Sequence, residues 1–365
     1  MASTPAPDAE AAQRAFQQFA TEAWTLLAVG LSVILLRTYS RIRSVGLKGL
    51  RADDFLVWLA GVLYAGETGL AYSVGFHAHG LANNGMTDSQ RAGLSPDSDE
   101  FRLRIVGCKI QLAGWSSYST LLWTLKASLL VFYMRLTAGL DRHYIVRIYV
   151  GFALLASTWL TVELNLLLAC RPFYKYWQIF PDPGNVCQPA VSNQVIWVYF
   201  TFNVLTDLYL ISIPVPMLWN ATLRPLKKIG FLILFSGGLF IVACATLRCI
   251  LIVTDPVNGA QLAGSWAVRE TFVAVVTTNM PLVVPLLQHW AKLAAGSMPS
   301  IRSSRKSDKS KIIVRTFGGG QAQSWRGRGP PSANPIPDIT FSESEERMVV
   351  RGDVHMQNIS ECSSA

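Results

Sequence analysis

Seven stretches of roughly 18 to 25 mostly apolar residues, each bounded by charged or Gly/Pro-rich connections, dominate this chain. A helix needs about 20 apolar residues to cross a bilayer, so the repetition predicts an all-α bundle of seven transmembrane helices. The expected spans are residues 22–41, 54–75, 105–134, 146–169, 195–219, 229–253 and 265–289. Composition agrees: 15% of residues are charged, against about 25% in soluble proteins, and the mean hydropathy is +0.31. The formal charge of +9 raises nucleic acid as a partner. Its distribution excludes that, because the basic residues sit in alternate short connections and in the C-terminal part.

Lys and Arg in short connections orient a membrane protein. Arg37, Arg41, Arg43, Lys48 and Arg51 follow the first span, Arg135, Arg142 and Arg147 the third, and Arg224, Lys227 and Lys228 the fifth. This predicts a plasma-membrane protein with an extracellular N-terminal segment (1–21) and a cytosolic C-terminus. The first span then reads as a retained signal anchor, since residues 1–21 lack a basic and apolar leader pattern. Both N-x-S/T sites, Asn220 and Asn358, fall on the cytosolic side, where neither is glycosylated. Residues 290–365 are basic and Ser/Gly/Pro-rich, which predicts a disordered cytosolic tail. Its cluster Arg302 to Arg315 would draw anionic membrane lipid.

Ionisable residues inside spans are costly and usually face the bundle interior. Glu67, Lys126, Glu163, Asp207, Arg248 and Glu270 form the candidate buried polar core, with Lys109 and Arg269 beside it. Counting from the helix ends puts Arg248 and Glu270 at similar depth near the outer side, and Lys126 and Asp207 together in the inner half. Such a core either binds a ligand and switches between two packings, or fixes helix register through ion pairs. Asp53 and Asp54 open the second span, where carboxylates cap a helix N-terminus; docking onto the basic inner connections is the alternative role. His77 and His79 read as solvated loop histidines rather than metal ligands. Cys187 has two candidate partners, Cys108 and Cys170; Cys170 is favoured because both ends then lie outside the membrane. Pro214, Pro216, Pro281 and Pro285 kink their helices.

An ordered set of motifs runs along residues 22–289. It opens with Asp53-Asp54, then Gly75 and His79 of a G-x-G-x-H ending in which His77 replaces the second glycine. Next come Lys126, Ser128 and Arg135 of a K-x-S-L-L-x-F-Y-x-R signature, and Cys170-Arg171-Pro172 with Trp177 and Cys187. Asn203, Asp207, Pro214 and Pro216 of the fifth span, Arg248 of the sixth, and Trp266, Glu270 and Pro281 of the seventh complete the set. In this order they resemble the fungal rhodopsin-domain family of seven-span membrane proteins, a resemblance that implies the seven-span fold and a receptor-like role and says little about a ligand.

Several functions are not expected. A retinal Schiff base needs a lysine in the last span, and residues 265–289 contain none, so no retinal cofactor is expected. No GxSxG, HExxH, Walker or dinucleotide motif points to an enzyme, a metal or another cofactor. The expected function is a receptor-like sensor that couples an outer small-molecule or surface cue to a cytosolic transducer. The alternatives are a transporter or channel that uses the buried charges, and an accessory membrane scaffold. Against transport, the two halves of the chain show no visible repeat.

Overall fold

The computed structural model describes residues 7–137, 142–215, 225–254 and 259–296. Among the described residues are eight α-helices: α1 (Pro7–Val45), α2 (Ala52–Phe76), the short α3 (Asp88–Gly93), α4 (Asp99–Leu136), α5 (Arg142–Leu168), α6 (Asn193–Ser212), α7 (Pro225–Thr254) and α8 (Gly259–Gly296). There is no strand among the described residues. The tail after Gly296, Pro216, both sequons and the basic cluster Arg302–Arg315 lie outside them.

The long helices exceed the expected spans, and the reason is local. The segment from Pro7 to Ala20 holds five Ala and three Gln, which favour helix without making a strongly apolar run. Most of the segment expected to precede the first span therefore belongs to α1. Gly46, at a φ of 72° that disfavours side chains, ends that helix. The 76–104 connection contains α3, capped by Thr87, whose Oγ1 accepts from the Gln90 N–H. Helix α6 ends at Ser212, short of the expected limit at 219.

Among the described residues, five helices are long and apolar enough to cross a bilayer: α1, α2, α5, α6 and α8. They expose large apolar side chains such as Leu35, Val62, Tyr149 and Leu160, as suits a surface facing lipid rather than water. Within α7, whose side chains are described from Ser236 onward, the stretch Ser236–Ile252 is likewise apolar. Helix α4 falls below that hydropathy because of its position. From Tyr118 to Tyr133 it is buried on nearly every side, with Ser119, Thr124, Lys126 and Ser128 among the buried residues. A helix wrapped by its neighbours can carry polar groups that lipid would reject.

Leu121, Leu122, Leu125 and Leu130 of α4 share one apolar core with Leu27 and Ile34 of α1, Val57 and Tyr64 of α2, and Leu155 of α5. Tyr199 and Leu210 of α6, Ile241 of α7 and Val275 of α8 complete it. At the end that holds the 77–98 and 169–192 connections, Gly107 lets α4 pass so close to the preceding loop that any Cβ would overlap the Leu81 carbonyl oxygen.

Candidate functional site

The candidate polar residues separate into networks at different depths, each of which includes a residue of α4. In the middle, Lys126 reaches across to α6. Its Nζ lies 3.0 Å from Asp207 Oδ1 and donates to Asn203 O (2.9 Å), Asn203 Oδ1 (2.7 Å) and Thr206 Oγ1 (2.8 Å). Residues 203, 206 and 207 fall on one face of α6 because they are three and four apart. The ammonium is therefore saturated with acceptors and also lies 5.0 Å from the Trp123 ring. Asp207 uses only one oxygen: Oδ2 makes no hydrogen bond.

Toward the disulfide-bearing end, Arg248 of α7 is held by rings. Its guanidinium carbon lies 4.5 Å from the Trp115 centroid, 4.4 Å from Tyr118 and 5.2 Å from Tyr199. A weakly hydrated planar cation suits such a cage. Its carboxylate partner is Glu270 of α8, at 4.0 Å and fully buried. Glu67 of α2 is next in line, accepting a long hydrogen bond of 3.5 Å from Thr271. Glu163 stands apart from these cations. It accepts from Ser116 (2.8 Å), Ser119 and Thr120 (3.4 Å) of α4 and ties α5 to it.

The third network changes the reading of Asp53 and Asp54. Asp54 does accept from the Arg51 N–H at 3.1 Å, as a capping carboxylate would. Asp53, however, is an ion-pair hub. Its Oδ2 lies 2.9 Å from Arg37 of α1 and 3.0 Å from Arg135 of α4. Arg37 also donates to Asn279 of α8 at 3.3 Å, and Arg41 pairs with Asp54 at 3.3 Å. Three helices thus meet at one carboxylate pair, and Arg37 links a fourth, α8, to it through Asn279. Arg37 and Arg41 are buried helix residues, not connection charges. The apolar pattern ends before them, while the helix continues to Val45. Ser128 adds a weak bond of 3.4 Å to the Asp53 carbonyl.

The remaining motif residues shape the scaffold. Cys170 and Cys187 form a disulfide, while Cys108 is free and buried. Arg171 is exposed, and Pro172 precedes the turn Phe173–Trp177. Lys109 lies 5.1 Å from the Trp177 ring. Gly75 lies against Phe16 of α1, leaving no room for a Cβ, and His79 is an exposed loop residue with a φ of 50°. Trp266 stacks with Arg269 at 5.0 Å, and Arg269 pairs with Glu22 of α1. Pro281 and Pro285 lie inside α8.

Two residues absent from the sequence reasoning organise the loop end. Asn83 donates to Tyr176 O (3.2 Å) and Cys187 O (3.3 Å), and Arg91 donates to Ile179 O (3.0 Å). Trp115, already in the Arg248 cage, donates to Pro189 O at 2.8 Å. The two long connections are thereby fastened to each other and to the cage beneath. Single loop residues that satisfy backbone carbonyls leave no periodic signal, so only the fold reveals them. No group of three or more His, Cys, Asp or Glu able to hold a metal occurs among the described residues.

Among the described residues, helices with apolar outer faces packed around buried ion pairs are what a membrane protein shows. The sequence matches the fungal rhodopsin domain over residues 36–289, and the chain belongs to that family. It is 26% identical over 293 residues to the protein named Receptor GIN3 of Arthrobotrys oligospora, which covers 77% of this chain. The chain in turn spans 63% of that relative's length. No solved structure matches it.

Proposed function

We propose that this chain is a seven-span, receptor-like sensor of the plasma membrane, with its N-terminus outside and its C-terminus in the cytosol. Helices α4 and α7 supply the two spans beyond the five most apolar ones. The basic connections favour this orientation, and a relative named as a receptor is consistent with it. The observation that carries the reading is the Asp53 hub. One carboxylate oxygen is shared by Arg37 of α1 and Arg135 of α4 at the proposed cytosolic end. Shared, breakable contacts between helices are the kind of element whose equilibrium a cue can bias.

The sensor works without retinal and without catalysis. Residues 265–289 carry no lysine; the nearest one on α8, Lys292, follows Trp290 near the helix end. Lys126 is committed to Asp207. A transport pathway is disfavoured because Arg37, Lys126 and Arg248 each already face a carboxylate.

The test is proximity labelling from the C-terminal tail in the native cell, comparing the intact protein with Lys227→Glu/Lys228→Glu. Enrichment of a G-protein subunit or kinase that disappears in the variant is expected. Neighbours limited to transporters or biosynthetic enzymes would overturn the reading in favour of a transporter or scaffold.

A further inference from the structure

The end of the bundle that holds the Asp53 hub carries more positive charge than its carboxylates balance. Arg37, Arg41 and Arg135 converge on Asp53 and Asp54. Arg51, whose backbone N–H donates to Asp54 Oδ2 at 3.1 Å, stands close enough to repel Arg135, as Arg41 does. Four guanidinium groups therefore share two carboxylates. The sequence has no other Asp or Glu between Glu22 and Glu67, nor any in α4 after Glu100. The excess is held by groups that stay accessible. Arg51 is exposed and Arg135 is 24% exposed, whereas Arg37 is shut in by its neighbours. Like charges so placed repel one another, and an anion bound between them relieves that repulsion.

The surroundings say which anion. Leu47, in the turn before α2, is largely exposed, and Phe55, Trp58 and Val62 follow along one exposed face of α2 at intervals of three and four. Phe55 lies one turn from Arg51. A cation at the head of an apolar, lipid-facing helix face sits at headgroup depth. Arginine suits phosphate there, because its planar fork matches two phosphate oxygens at once. A phosphodiester brings one negative charge, whereas a phosphomonoester brings about 1.5 to 2, which matches the excess.

We propose that Arg51 and Arg135, backed by Arg41, form a binding site for a phospholipid whose headgroup carries a phosphomonoester. The inference rests on the orientation given above for its leaflet, the inner one, and not for its chemistry.

The experiment places the full chain in phosphatidylcholine nanodiscs, which offer lipid to both faces, so a wrong orientation leaves the result unchanged. One set contains phosphatidic acid; the other contains twice as much phosphatidylserine, for equal surface charge. Bound lipid is counted by native mass spectrometry. Phosphatidic acid is expected to be retained about tenfold or more over phosphatidylserine, the value of one hydrogen bond to a charged group. Arg51→Gln and Arg135→Gln should each lower its retention by about the same factor. Arg43→Gln removes an exposed charge from the same end of α1, two residues from Arg41 and so on another side of the helix. It should leave retention unchanged.

Equal retention of the two lipids, or an equal loss in Arg43→Gln, would mean diffuse attraction and overturn the site. Displacement by soluble glycerol phosphate at the same concentration would assign it to a diffusible phosphate and overturn the lipid. The orientation fails separately: the exposed Lys48 would then react with a membrane-impermeant amine reagent on intact cells.

Discussion

Replacing Asp53 with asparagine separates two roles that predict different magnitudes. As a carboxylate in the first turn of α2, Asp53 would contribute about 0.3–1 kcal/mol through the helix dipole. Asparagine would forfeit no more than that. As the hub observed here, Asp53 is fully buried and compensates Arg37 at 2.9 Å and Arg135 at 3.0 Å. Removing one partner of a buried pair costs about 3–5 kcal/mol, because the other charge stays buried without compensation. Arg37 is the residue stranded. It is 2% exposed, and its remaining carboxylate contact is Asp54 at 3.9 Å.

The expected loss for Asp53→Asn is therefore about 3 kcal/mol or more, roughly a hundredfold in the folded-to-unfolded ratio. It is measurable by SDS-driven unfolding in mixed micelles, followed by tryptophan fluorescence. A double-mutant cycle locates the cause. Asp53→Asn combined with Arg37→Gln removes the stranded charge and should be less harmful than the sum of the single variants by about 0.5–3 kcal/mol. A loss below about 1 kcal/mol, or additivity with Arg37→Gln, would refute the hub and return Asp53 to capping.

Three further outcomes follow from the geometry. Gly107→Ala should abolish or sharply reduce folded protein on size-exclusion chromatography, because its Cβ would meet the Leu81 backbone carbonyl, which yields less readily than a side chain. Cys170→Ser should lower stability by about 3 kcal/mol in the chain-entropy model for a loop of this size, the separation being 17 residues; an unchanged melting temperature would contradict it. The exchange Lys126→Asp with Asp207→Lys should recover only part of the expression lost in either single variant. An aspartate at 126 would face the Asn203 carbonyl and Oδ1 without donors. A double variant no better than the singles would dissolve the pair.

How much of this was legible in the sequence depends on the kind of signal each feature leaves. Apolar runs marked all the long helices, because a bilayer imposes a length on every span. They did not mark where helices stop, since helix propensity continues through polar residues such as Gln13 to Gln18 and Arg37 to Arg43. That gap conceals the Asp53 hub: Arg37 and Arg41, at the end of the expected first span, read from sequence as charges of the connection that follows. Depth counting did suit Arg248 and Glu270, which sit one helix apart at 4.0 Å. Asn83 and Arg91 act through loop carbonyls, so nothing in their neighbouring residues announced them. The polarity of α4 was visible, but its cause was not, because only the assembled fold shows that the helix is surrounded.

The three networks also differ in how easily each can yield, and that ordering bears on the proposed sensor. Lys126 is bound by four acceptors on a single helix, so it acts as a fixed point between α4 and α6. Arg248 is enclosed by three rings and cannot leave without unpacking them. Arg135 is different: it is 24% exposed and shares its oxygen with Arg37. If it swings away, Asp53 stays compensated and Arg135 is rehydrated. It lies nine residues beyond Lys126, about 14 Å along the helix, so a small tilt of α4 about Lys126 is magnified there. Arg135→Gln should therefore cost only about 0–1 kcal/mol, the value of a partly solvated pair, while Asp53→Asn costs several times more. If the two variants prove equally destabilising, Arg135 is as locked as Arg37, and the movable contact must be sought elsewhere.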